Sequence, residues 1–190
     1  MKSIRDAALA AWREAGEAAL APCGFTRRGQ VWRRHSDGMD RLLLLEVVHG
    51  GAAVRAHYVH PALDDTTVRQ PGWSSFCYPA VLVDEDHRVT GMSDLETVLS
   101  RHAGLGVCFL ERCSSPADVV RLMLGQEACE EEGVQPVPGS ARGLATAALW
   151  ASASGLPDWK SQAMSALAAL PGDRYVKEVR AGLAAKMATL

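Results

Sequence analysis

Cys23 to His60, CGFTRRGQVWRRHSDGMDRLLLLEVVHGGAAVRAHYVH, is the stretch whose reading decides the fold. Asp37-Gly38 separates two runs of strand-forming residues and supplies the positive φ angles that a two-residue hairpin turn needs. The expected hairpin joins about Gln30–His35 to Met39–Val48. A second break at His49-Gly50-Gly51 leads into Ala52–His60, where valines and a tyrosine alternate with polar residues, so a third antiparallel strand follows. Leu42 to Leu45 with Val47 and Val48 is apolar on both faces, the pattern of a central strand covered above and below. Only Glu46 interrupts it.

If the two turns are Asp37-Gly38 and Gly50-Gly51, the register follows, because side chains alternate and opposed pairs are fixed by the turn. Trp32, Leu43 and Tyr58 then line one face beside Leu45 and Ala56, and this is the expected core side. The other face carries Val31, Arg33, Leu42, Leu44, His57, and Glu46 opposite Arg55. A carboxylate in a central strand is costly to bury alone, so Arg55 is its expected partner.

At 190 residues the chain can bury a sizeable core. Twenty basic residues against 22 acidic ones give none of the basic excess that drives nucleic-acid binding. No apolar run is long enough to span a bilayer, and the N-terminus, charged at Lys2, Arg5 and Asp6, lacks the apolar region of a secretory signal. Five cysteines without a CxxC pair fit free thiols better than a disulfide framework. A cytoplasmic protein with no membrane association is the expectation.

Ahead of the central stretch, Ser3 and Asp6 resemble a capping box, and Ile4, Ala8, Ala11, Trp12, Ala15 and Ala19 form one stripe of a helix from about Ile4 to Ala21, ended by Pro22 and Gly24. Trp12 is its largest anchor against the sheet. Behind it, Ala62 to Pro79 reads as a long loop with an aromatic cluster, Trp73, Phe76 and Tyr78, and Tyr78–Val83 as a fourth strand. Ser93-Asp94-Leu95-Glu96 opens a helix to about Ala103, with Gly104 and Gly106 as its stop. Val107 to Glu111 is short and apolar. Ser115-Pro116-Ala117-Asp118 starts another helix, built on Val119, Val120, Leu122, Met123 and Leu124 and ended by Gly133.

Residues 134–140, rich in Pro and Gly, read as a linker between an α+β domain over 1–133 and an alanine-rich helical extension over 141–190. Three helices are expected there, about Ala141–Ser154, Pro157–Leu170 and Asp173–Thr189, packed closely through small residues. The fold class is thus α+β, an antiparallel meander covered by helices with a helical extension at its C-terminal end.

The order LAPCGFTRRGQVWRR, an apolar strand, a further strand ending near HYVHP, and then LGVCFLERCSSPADVVRLML resembles the bacterial family catalogued as domain of unknown function 4304. In that family a helix runs into a strand of the pattern Gly-Phe, two basic residues, Gly, any residue, aromatic, and a later apolar segment leads into a Ser-Ser-capped helix. Gly24, Phe25, Arg27, Arg28, Gly29 and Trp32 match at the front, and Phe109, Ser114 and Ser115 at the back. The resemblance covers roughly the first two-thirds of the chain. It implies an α+β fold and carries no catalytic residues across.

Arg27, Arg28, Arg33 and Arg34 surround Trp32 as a phosphate-reading patch would, since guanidinium groups grip phosphates in a bidentate way. Alternation sends Arg33 and Arg34 to opposite faces, however, and a solvated strand edge is the simpler reading; nucleic acid is not the expected partner. His57 and His60 lie three apart on a strand, on opposite faces, and His35, His49, His87 and His102 show no ligand spacing, so no metal site is expected. Cys113, just before a helix start, is the one thiol placed for activation by the helix dipole, against the commoner role of a buried packing residue. Glu127, Glu130, Glu131 and Glu132 read as a solvated helix end that could face a basic partner.

Glu46, Arg55 and His57, with Arg33 on the same face, form the candidate ligand face: an acid, a fixed cation and a titratable ring brought together by the register. With no nucleophile, phosphate loop or metal ligand beside them, a structural ion pair is the simpler account. The sequence therefore leads to a non-enzymatic bacterial binding protein, immunity-like or accessory, with another protein as its partner and no cofactor. The alternative is a small-molecule-binding protein or enzyme that uses the face of Glu46, Arg55 and His57.

Overall fold

The computed structural model describes residues 4–48, 51–63, 80–83, 95–126 and 134–190. In chain order the elements are α1 (Ile4–Ala19), β1 (Thr26–Arg28), β2 (Val31–Ser36), β3 (Met39–Val48), β4 (Gly51–Val59), β5 (Ala80–Val83), α2 (Leu95–Leu110), α3 (Pro116–Leu124), β6 (Val134–Gln135), α4 (Ala141–Ala153), α5 (Pro157–Ala169) and α6 (Arg174–Met187). The fold is α+β. The residues divide into two compact units, one drawn from 1–36, 40–57 and 80–112, the other from 37–39, 58–79 and 113–190.

In the first unit, β1 to β5 lie side by side in sequence order, as a meander requires. The turn between β2 and β3 has φ 55° at Asp37 and 77° at Gly38, both left-handed, as the Asp-Gly dipeptide predicts. A two-residue turn there sets Gln30 opposite Leu45, and the Leu45 N–H donates to the Gln30 carbonyl at 3.2 Å. β1 is a strand that the sequence reading did not separate from the loop before it. It pairs antiparallel with β2, Thr26 opposite Arg33 and Arg28 opposite Val31, across a turn in which Gly29 has φ 65°. The second bend, at residues 49 and 50, lies outside the described residues; Gly51 belongs to β4 rather than to the turn.

One sheet face is sealed by Trp32, Leu43, Leu45 and Ala56, all buried together with Trp12, Ala8 and Ala15 of α1. The Trp12 indole N–H donates to the Gln30 carbonyl at 2.9 Å. Gly16 lets α1 approach closely: a Cβ there would stand 2.1 Å from the Trp32 ring. α1 also packs along α2.

α2 corrects the sequence reading. It runs through Gly104 and Gly106 to Leu110, absorbing the segment expected to be separate. A glycine inside a helix costs only about 0.5–1 kcal/mol, and the stripe Leu95, Leu99, His102, Ala103, Gly106, Phe109 and Leu110 is buried at unbroken helical spacing. Packing therefore outweighs propensity. The cap expected at Ser93 and Asp94, the loop with Trp73, Phe76 and Tyr78, and the acidic run Glu127, Glu130, Glu131 and Glu132 lie outside the described residues.

In the second unit, α3 starts where expected. Ser115 accepts from the Asp118 N–H at 3.3 Å while Asp118 accepts from the Ser115 N–H at 2.8 Å, and Pro116 occupies the first turn. It ends earlier than expected, at Leu124, because Gly125 takes φ 72° and its N–H turns back to Arg121 and Leu122. Residues 134–140 are tied down: Val134 is buried, the Gly139 N–H donates to the Met123 carbonyl at 2.9 Å, and a Cβ on Gly143 would meet the Val137 carbonyl at 2.4 Å. α4 is buried along Gly143–Ala151 and packs against α3, α5 and α6, which its alanines permit at close range. Three carbonyls at the end of α5, those of Leu167, Ala168 and Leu170, accept from Arg180 of α6 at 2.8–3.0 Å.

Candidate functional site

The strand alternation that buries Leu43 and Leu45 on one face places Leu42, Leu44 and Glu46 of β3 on the other, with Arg55 and His57 of β4. Arg55 and Glu46 meet as expected: Nε of Arg55 lies 2.6 Å from Oε2 of Glu46. The guanidinium is largely buried, whereas the carboxylate keeps 24% of its side-chain surface exposed, so the pair sits at the border of the covered face. The pair is thereby spared full desolvation.

His57, two residues along β4, is 4% exposed, and neither ring nitrogen has a hydrogen-bond partner. Burial, helped by the positive charge of Arg55, lowers its pKa from 6.5 to about 3. The ring is neutral at neutral pH. β5 runs alongside, with Ala80 opposite His57 and Leu82 opposite Arg55.

Arg33 does not join this group. It stands opposite Leu42, four residues from Glu46 along β3, roughly 13 Å at the rise of a strand. Its guanidinium instead pairs with Asp40. Asp40 is a buried carboxylate that also takes Nδ1 of His35 at 3.0 Å on its other oxygen. Sequence reasoning passed over Asp40, although an acid two residues after a hairpin turn, facing a histidine across it, is a legible signal. It also passed over Arg41, which is buried and donates from Nε to the Leu110 carbonyl at 3.0 Å, with Nη1 on the carbonyl and hydroxyl of Ser36. A fixed cation thus closes the C-terminal end of α2, where the helix dipole is negative.

Cys113 lies ahead of α3 but is buried, and its backbone N–H donates to the Tyr58 hydroxyl at 3.4 Å. Cys23 and Cys108 are the exposed thiols among the described residues. His60, just past the end of β4, is buried edge-on against Trp150, with ring centroids 5.4 Å apart, and its Nδ1 accepts from the Ala62 N–H. Burial lowers its pKa. No group of three or more His, Cys, Asp or Glu among the described residues could hold a metal ion, and no described helix is long and apolar enough to cross a membrane.

Compared with known proteins, the chain matches no family model, no curated protein and no solved structure.

Proposed function

We propose that this is a non-enzymatic binding protein of bacterial type, an accessory or immunity-like partner of another protein, related to the domain of unknown function 4304 family through the Gly24–Trp32 and Phe109–Ser115 motifs. The observation that carries this reading is the state of the candidate acid–base group. Glu46 is engaged by Arg55 at 2.6 Å, and the one titratable ring beside them is buried with a pKa of about 3. A general base works best with a pKa near the operating pH, and His57 lies far below it. The group holds the sheet together rather than moving protons.

The two orphaned nitrogens of His57 favour a second reading, a polar small molecule received on that face, since buried polar atoms are normally paired. One experiment separates the two. The full chain, tagged and purified from its native host, is analysed for bound protein and, after denaturation, for released metabolite. The first reading expects one protein that survives a salt wash and no metabolite; a single metabolite released in equal amount to the chain overturns it.

A further inference from the structure

Four side chains of the edge hairpin share one face: Thr26 and Arg28 of β1, Arg33 and His35 of β2. All four are exposed, Arg33 at 49% and His35 at 62% of their side-chain surface. Two of them are held by a residue of β3. Buried Asp40, 2% exposed, accepts from Arg33 on one oxygen and contacts His35 Nδ1 on the other. The ion pair draws the Arg33 guanidinium toward β3 and leaves Arg27 and Arg28 as the exposed cations of the edge strand itself. Neither β1 nor β2 contains a carboxylate.

β1 is the first strand of the sheet order, with no strand beyond it among the described residues. In a two-residue hairpin closed by Arg28 and Val31, the Arg27–Trp32 pair is the wide one, so the Arg27 N–H and C=O point away from β2. The geometry points to this edge as the docking site for an extended acidic segment of a partner protein. The inference rests on the interaction reading above and names the surface and partner chemistry. A carboxylate of the segment would reach Arg28, while its backbone pairs with Arg27. Charged side chains on a sheet edge commonly serve only to prevent self-association; here the same arginines that repel a second basic edge attract an acidic one. Single-stranded nucleic acid fits less well, because the nearby aromatic rings that could stack on bases, Phe25 and Trp32, are buried.

The test is fluorescence anisotropy of the full chain with a fluorescein-labelled Glu-Thr repeat peptide, and a Lys-Thr repeat peptide as control. Arg28→Glu and Arg27→Pro are compared with the wild type after circular dichroism shows each folded. Arg28→Glu is expected to weaken the acidic peptide about two- to fivefold, from the worth of exposed charge pairs. Arg27→Pro, which removes an outward N–H and no ladder bond, is expected to weaken it as well. Equal binding by wild type and Arg28→Glu, no binding to the wild type, or equal binding of the Lys-Thr peptide overturns the assignment. A native protein partner that Arg28→Glu retains would overturn this surface while leaving the interaction reading intact.

Discussion

Glycine at position 16 is worth more to this fold than its place in an alanine-rich helix suggests. With a Cβ due to fall 2.1 Å from the Trp32 ring, Gly16→Ala forces α1 or the indole to shift. A loss of about 1–3 kcal/mol is expected, the usual cost of overpacking, read as a lower urea midpoint. Trp32→Leu in the same chain should restore part of it, since contacting residues couple. At the ion pair, Arg55→Met leaves Glu46 half-buried beside an apolar strand and should cost about 1–3 kcal/mol, less than the full loss of a deeply buried pair because the carboxylate can still reach water. Glu46→Gln together with Arg55→Met should be milder than Arg55→Met alone. A cycle in which the two changes simply add would show that the 2.6 Å contact contributes nothing.

Among the elements, α3 and the β2–β3 hairpin depend on single local devices. Ser115→Ala removes the hydroxyl that receives the Asp118 N–H and should cost about 1 kcal/mol, seen as a small drop in thermal midpoint. Burial alone would raise the pKa of Asp118, but hydrogen bonds from Ser114 and Ser115 and the charge of Arg121 together outweigh it and hold it below the usual carboxylate range. Gly38→Ala places a side chain at φ 77° and should cost about 1–2 kcal/mol, whereas the same change at Gly104, inside α2 with open space around its Cα, should stabilise by up to about 1 kcal/mol. The first tests the expected turn, the second the helix that runs through an expected stop. Gly104 resembles a helix stop only until the buried stripe on either side of it is taken into account.

For the molecule as a whole, His57 ties folding to pH. Its pKa is about 3 in the folded state against 6.5 when exposed, so between those values the unfolded chain binds more protons. The stability that the neutral ring permits is complete above about 6.5 and is lost progressively as pH falls toward 3. Urea midpoints should fall between about pH 7 and about pH 5, and His57→Leu should flatten that decline; an unchanged slope in the variant would assign it to other groups. Much of the architecture was legible one element at a time. Asp37-Gly38 dictated its own turn, alternation put Glu46 and Arg55 on one face, and Ser115-Pro116 started α3, because each depends on dihedral preference and side-chain period within a short stretch. The alanine-rich helices α4, α5 and α6 were readable for the same reason. What only tertiary packing decided was where neighbours override such rules. α2 continues through two glycines because α1 lies along it, Arg41 reaches across to the end of α2, and His57 is forced neutral. Those outcomes depend on burial and on partners distant in the chain, and neither is encoded in the spacing of adjacent residues.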